Sequence, residues 1–190
     1  MRGSTSLGQI IGGVDPKWSP LPYTNTSDTP SHGHILSSED ITGGMGFEGM
    51  AAFDGFIRGG GTLVTFGSAG VLASDSGIVR GIIKRDVGSM NTPGSIMTAK
   101  VTDSSSPLVY GYGELSHVMR GNAPVFSVAD YDRKYSPLQF GIKSFEDEPE
   151  NSAADEKESK ASSPLVISGG IIKGESVIDG QPALISKPVG

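Results

Sequence analysis

The chain has 190 residues, of which 28 are glycine and 12 are proline; that is about a fifth of the total against roughly 12% in average proteins, which excludes long helical bundles and coiled coils. Fifteen Lys and Arg against 21 Asp and Glu leave a net charge of −6, so no basic stripe exists to neutralise a phosphate backbone and nucleic acid is not an expected partner. Zero cysteines exclude disulfides, thiolate zinc sites and a cysteine nucleophile, and no run of ~18 apolar residues is available to span a bilayer.

Residues 1–40 read as an irregular N-terminal arm. Met1-Arg2-Gly3-Ser4 leads into polar residues rather than the apolar core of a signal peptide. Pro16, Pro20, Pro22 and Pro30 interrupt the arm, and the single tryptophan, Trp18, lies among them. An α/β domain is expected over 41–190. Its first periodic element carries Phe47, Met50, Phe53 and Ile57 as one apolar stripe, which predicts a helix from about Phe47 to Arg58 that stops at Gly59-Gly60-Gly61. Thr62–Phe66, β-branched and aromatic, reads as a buried strand that turns at Gly67-Ser68, giving half of a βαβ unit.

From Ile78 onward the chain is β-rich. Short strands are predicted at Ile78–Ile83, Ser95–Val101, Pro124–Val128, Leu138–Ile142, Pro164–Ile167 and Ala183–Ile185, each bounded by Gly, Pro, Asp or Ser. Seven acids between Glu146 and Glu158 face a single Lys157. Such a stretch buries too little apolar surface to offset its ordering entropy, so a disordered acidic insertion is expected at about 145–163. Pro182–Gly190 reads as a strand entering a hairpin whose partner strand is missing, which leads to the expectation of a domain truncated at its C-terminus.

Three chemistries could draw on these residues. Zinc hydrolysis needs a close pair of ligands plus a third, and no His-x-x-Glu occurs; His32 and His34 form the one close histidine pair, against the plainer reading of loop histidines. Nucleophilic hydrolysis points to Ser68 at a sharp turn with His117 as base, but Phe66 occupies the place of the first glycine of Gly-x-Ser-x-Gly, which favours a structural turn. Phosphate binding points to Gly43-Gly44-Met45-Gly46 before the helix; no buried strand precedes it, so close packing of the helix start is favoured.

Three stretches together carry a resemblance. Asp40-Ile41-Thr42-Gly43-Gly44-Met45-Gly46 with Glu48-Gly49 and Gly60-Gly61-Thr62-Leu63 comes first, then Ser106-Pro107-Leu108-Val109-Tyr110-Gly111-Tyr112-Gly113, then Ser168-Gly169-Gly170 with Lys173-Gly174-Glu175. They are similar to the C-terminal class I glutamine amidotransferase-like domain of bacterial carboxypeptidase A-like zinc metallopeptidases. The resemblance implies a flavodoxin-like α/β sandwich, a secreted or extracytoplasmic parent, and a zinc-binding peptidase domain upstream that is not among these residues. It implies no cofactor in this chain. The catalytic cysteine of true amidotransferases has no counterpart, since the corresponding neighbourhood is Gly67-Ser68-Ala69. The expectation is therefore a non-catalytic accessory or binding domain that packs on a peptidase domain or holds a peptide or glycan, with Trp18, Tyr23, Tyr110 and Tyr112 as contact residues. A serine hydrolase centred on Ser68 is the alternative.

Overall fold

The computed structural model describes residues 6–143 and 164–189. The acidic insertion expected at about 145–163 lies outside the described residues. The chain divides into two compact units, Met1–Thr65 with Gly190 and Phe66–Val189.

In the first unit, helix α1 (Leu7–Gly12) opens with a capping box. Ser6 Oγ accepts from the Gln9 N–H and Gln9 Oε1 accepts from the Ser6 N–H, both at 3.3 Å, so two orphan donors of the helix start are satisfied reciprocally. A 3-10 turn, Pro16–Trp18, follows under an Asp15 cap. Asp40 then ties the segment together. Its carboxylate accepts from Ser19 Oγ (2.6 Å), Leu21 N (3.0 Å), Thr42 N (2.9 Å) and Thr42 Oγ1 (2.8 Å). Those donors, the Leu21 amide foremost, hold its pKa far below the usual carboxylate range.

The long helix α2 (Gly46–Arg58) covers the predicted stretch, beginning one residue earlier. Its apolar stripe is buried unevenly: Ile57 is buried whereas Phe47 is 82% exposed. The glycine run before it serves packing. Val14 N donates to Thr42 O (2.7 Å) and Met45 N to Ile10 O (3.0 Å), and a Cβ on Gly44 would lie 2.2 Å from the Ile11 carbonyl oxygen. Only glycine lets the two backbones approach this closely.

The strand predicted over Thr62–Phe66 does not form; the chain there is irregular. β-branched residues favour a strand only where a neighbouring strand offers a ladder, and none pairs with these residues. The half βαβ unit is accordingly absent.

In the second unit a 3-10 turn, Gly67–Gly70, runs into the short helix α3 (Val71–Asp75). Strand β1 (Ile82–Lys84) pairs antiparallel with β4 (Phe126–Val128) as a two-stranded sheet. A five-stranded sheet contains β2 (Ser95–Val101), β3 (Leu115–Arg120), β5 (Leu138–Phe140), β6 (Val166–Ser168) and β7 (Pro182–Leu184). Its order is β3-β2-β5-β7, with β6 also paired to β2. Helix α4 (Glu175–Ile178) lies between β6 and β7 in the sequence.

β2 matches its predicted bounds, and most of the other predicted strands form in shortened or shifted versions for local reasons. Pro124 lacks the N–H a ladder needs, so β4 starts at Phe126. Gly141, in the left-handed region at φ 68°, ends β5 at Phe140. β3 is an additional strand that residue periodicity did not reveal. Met90, Met97, Val125, Phe140 and Ile178 form the core, with Val118, Leu165, Val166, Ile171 and Ala183 packed around them.

The architecture is mixed α/β with two antiparallel sheets. A flavodoxin-like sandwich rests instead on parallel strands joined by crossover helices. Among the described residues of the second unit the α-helices are one turn or little more.

Candidate functional site

Tyr110 and Tyr112 stand on a loop that the sequence builds in steps. Asp103 Oδ1 accepts from the Ser105 N–H (3.0 Å) and from Ser105 Oγ (2.6 Å), an Asx turn. Ser106 Oγ caps the 3-10 turn Pro107–Val109 by accepting from Leu108 N. Tyr110 N then donates to Pro107 O, and Tyr112 N to Val109 O at 3.1 Å. Val109, 3% exposed, is the anchor. The loop is thus tied down from below while Leu108, Tyr110 and Tyr112 face water, the two tyrosines 87% and 63% exposed. A tyrosine held this way offers broad contact area with two side-chain torsions to restrict.

Trp18 and Tyr23 belong to the first unit. Trp18 is exposed, with Lys17 Nζ 5.6 Å from its ring centroid. Tyr23 stacks on His32, centroids 4.8 Å apart. The four aromatic candidates therefore fall into two pairs in separate units.

The histidine pair is engaged within its own loop. His32 lies against Tyr23, and His34 Nε2 is 2.8 Å from Pro30 O, a carbonyl that can only accept. Among the described residues no group of three His, Cys, Asp or Glu side chains is placed to hold a metal ion.

Ser68 sits in the Gly67–Gly70 turn, entered from irregular chain and not from a strand end. That turn is packed closely: a Cβ on Gly70 would lie 2.8 Å from the Phe126 ring. His117 is on β3, exposed, opposite Thr98 of β2.

An open hollow in the second unit is lined by Leu165, Ile171, Lys173, Gly174, Glu175, Ser176 and Asp179. Lys173 takes a left-handed φ of 52° there, and the buried Asp179 Oδ1 lacks a hydrogen-bond partner among the described residues.

No family model, curated protein or solved structure matches the chain.

Sequence reasoning overlooked the exposed apolar residues of β3. Leu115 and Met119 are 44% and 78% exposed, and Ile96 of β2, paired with Met119, is 36% exposed. Gly111, Gly113 and Gly121 bracket this strand and were the signal available. No helix among the described residues is long and apolar enough to cross a membrane.

Proposed function

We propose that this chain is a non-catalytic accessory domain of a zinc carboxypeptidase-like protein, acting through a protein contact surface centred on the Tyr110–Tyr112 loop. The observation that carries the reading is the state of that loop: its backbone bonds are made within the chain while its aromatic side chains remain in water. Surfaces of this kind lose little ordering entropy on association, and buried tyrosines are favoured centres of binding energy. The resemblance of the ordered motifs to those of the peptidase family supports the choice of partner, an upstream zinc-binding peptidase domain; peptide or glycan is the second class of ligand. Zinc belongs to that peptidase domain in this reading, and the compartment is extracytoplasmic. The motifs also favour descent from an amidotransferase-like, flavodoxin-like sandwich, although the antiparallel ladders differ from the parallel sheet of that fold.

The test is titration of the 190-residue chain against a separately produced peptidase domain from a bacterial carboxypeptidase A-like enzyme carrying such a C-terminal domain. Tyr110→Ala and Tyr112→Ala should each weaken binding by about tenfold, the effect of losing a contact worth 1–2 kcal/mol. The melting temperature should barely change, because both side chains are exposed. Binding that survives the double variant, or no binding by the wild type, refutes the reading.

A further inference from the structure

The β2–β3 ladder decides which backbone groups of β3 are spoken for. Val101 N donates to Glu114 O at 2.9 Å, so Val101 and Glu114 are a hydrogen-bonded pair. In an antiparallel ladder such pairs alternate with non-bonded ones. The register Ala99–Ser116, Met97–Val118 and Ser95–Arg120 continues the bonded set. Leu115, His117 and Met119 therefore direct N–H and C=O away from β2. The opposite side of β2 agrees: Thr98 N donates to Leu165 O and Thr98 O accepts from Gly141 N, both on the side away from β3.

β3 ends the order of its sheet, and those outward groups have no partner among the described residues. The strand has only part of the usual protection of an edge, the inward-pointing charge of Arg120 at its end. It contains no proline and no lysine, and its pairing with β2 has no bulge.

We propose that β3 is a dimerisation edge, joining two copies of this chain β3 to β3, antiparallel, about a two-fold axis through His117. The sequence is self-complementary in this register. Leu115 of one copy meets Met119 of the other, His117 meets its own counterpart, and the three bonded pairs supply about six main-chain hydrogen bonds. Arg120, at the end of the strand, stays within its own copy: it is 6% exposed, its Nη2 donates to Ala123 O and its guanidinium lies over the Phe140 ring. The contact uses the same patch on both copies and closes on itself, giving a dimer and not a fibre. It rests on the ladder alone and stands independently of the peptidase reading.

Sedimentation velocity of the 190-residue chain over a range of concentrations tests this. The wild type should show a monomer–dimer equilibrium. His117→Lys, which sets two like charges against each other at the axis, should raise the dimer dissociation constant by at least about tenfold. His117→Pro, which removes an outward N–H and no bond to β2, should act in the same direction; if it disturbs the far-UV circular dichroism, the lysine variant decides. Tyr131→Ala, at an exposed position elsewhere, should leave the dimer unchanged.

Register is read by single thiols, since the chain has no cysteine. Two copies of His117→Cys stand about 5.5 Å apart between Cα atoms, within reach of a short bis-maleimide. Two copies of Leu115→Cys are separated by four residues of strand, roughly 14 Å, and should not cross-link. A wild type that stays monomeric, a dimer indifferent to His117→Lys, or cross-linking at 115 in preference to 117 overturns the proposal.

Discussion

Replacing Lys187 by methionine tests the energetics of the second unit most directly. Lys187 Nζ lies 2.5 Å from Asp132 Oδ2 and 2.5 Å from the Arg80 carbonyl oxygen. The two side chains are 14% and 6% exposed, so water cannot take over for a lost partner. Methionine keeps the aliphatic stem near the Tyr135 ring but removes the charge. An uncompensated carboxylate is then left buried, a change that costs about 3–5 kcal/mol. Against a domain stability of about 5–15 kcal/mol this is a large fraction, and the melting temperature should fall by on the order of 10 °C. Urea unfolding followed by far-UV circular dichroism measures the loss. The double variant Asp132→Asn with Lys187→Met should recover part of it, because both charges leave together and the cycle isolates their coupling. A loss below about 1 kcal/mol for Lys187→Met would show that the pair behaves as a solvated surface bridge, and the argument from burial would fail.

Gly44→Ala should dislodge α1, because the added methyl would sit 2.2 Å from the Ile11 carbonyl; faster proteolysis around residues 7–14 is the readout, and unchanged protection refutes the packing argument. Asp40 has its pKa depressed in the folded chain, so its contribution is complete above the unfolded value near 3.9 and disappears as pH falls through the lower folded value. Amide exchange at Leu21 and Thr42 should therefore show equal structural protection at pH 7 and pH 5 and lose it only in strong acid. Asp40→Asn should weaken the same amides at every pH; a variant indistinguishable from wild type at pH 7 would remove Asp40 from its organising role.

Helix α2 was legible because its period is local: Phe47, Met50, Phe53 and Ile57 need only one another to define a face. β2 was legible because its middle is fully buried, with Met97, Thr98 and Ala99 all inaccessible, so its composition reflects its surroundings. Thr62–Phe66 has similar composition and no neighbour, and sequence cannot distinguish a strand with a ladder from one without. β3 shows the converse. Leu-Ser-His-Val-Met-Arg lacks clean alternation because its outer face carries Leu115 and Met119 in water. The tyrosines were named from their chemistry; their exposure depends on the Asp103–Ser106 turns and the Val109 anchor, which only the folded loop reveals. The free backbone groups of β3 follow from pairing parity, which has no trace in residue types.

The central position of β2 has a consequence for biosynthesis. Its partners arrive from Leu115–Arg120, Leu138–Phe140 and Val166–Ser168, so the ribosome delivers them one after another over some seventy residues of translation beyond Val101. Until the last of them emerges, the nascent chain carries an unfinished apolar strand, and contacts so distant along the chain form slowly. Chaperone capture of this polypeptide should therefore concentrate in that interval and end as β6 and then β7 leave the exit tunnel.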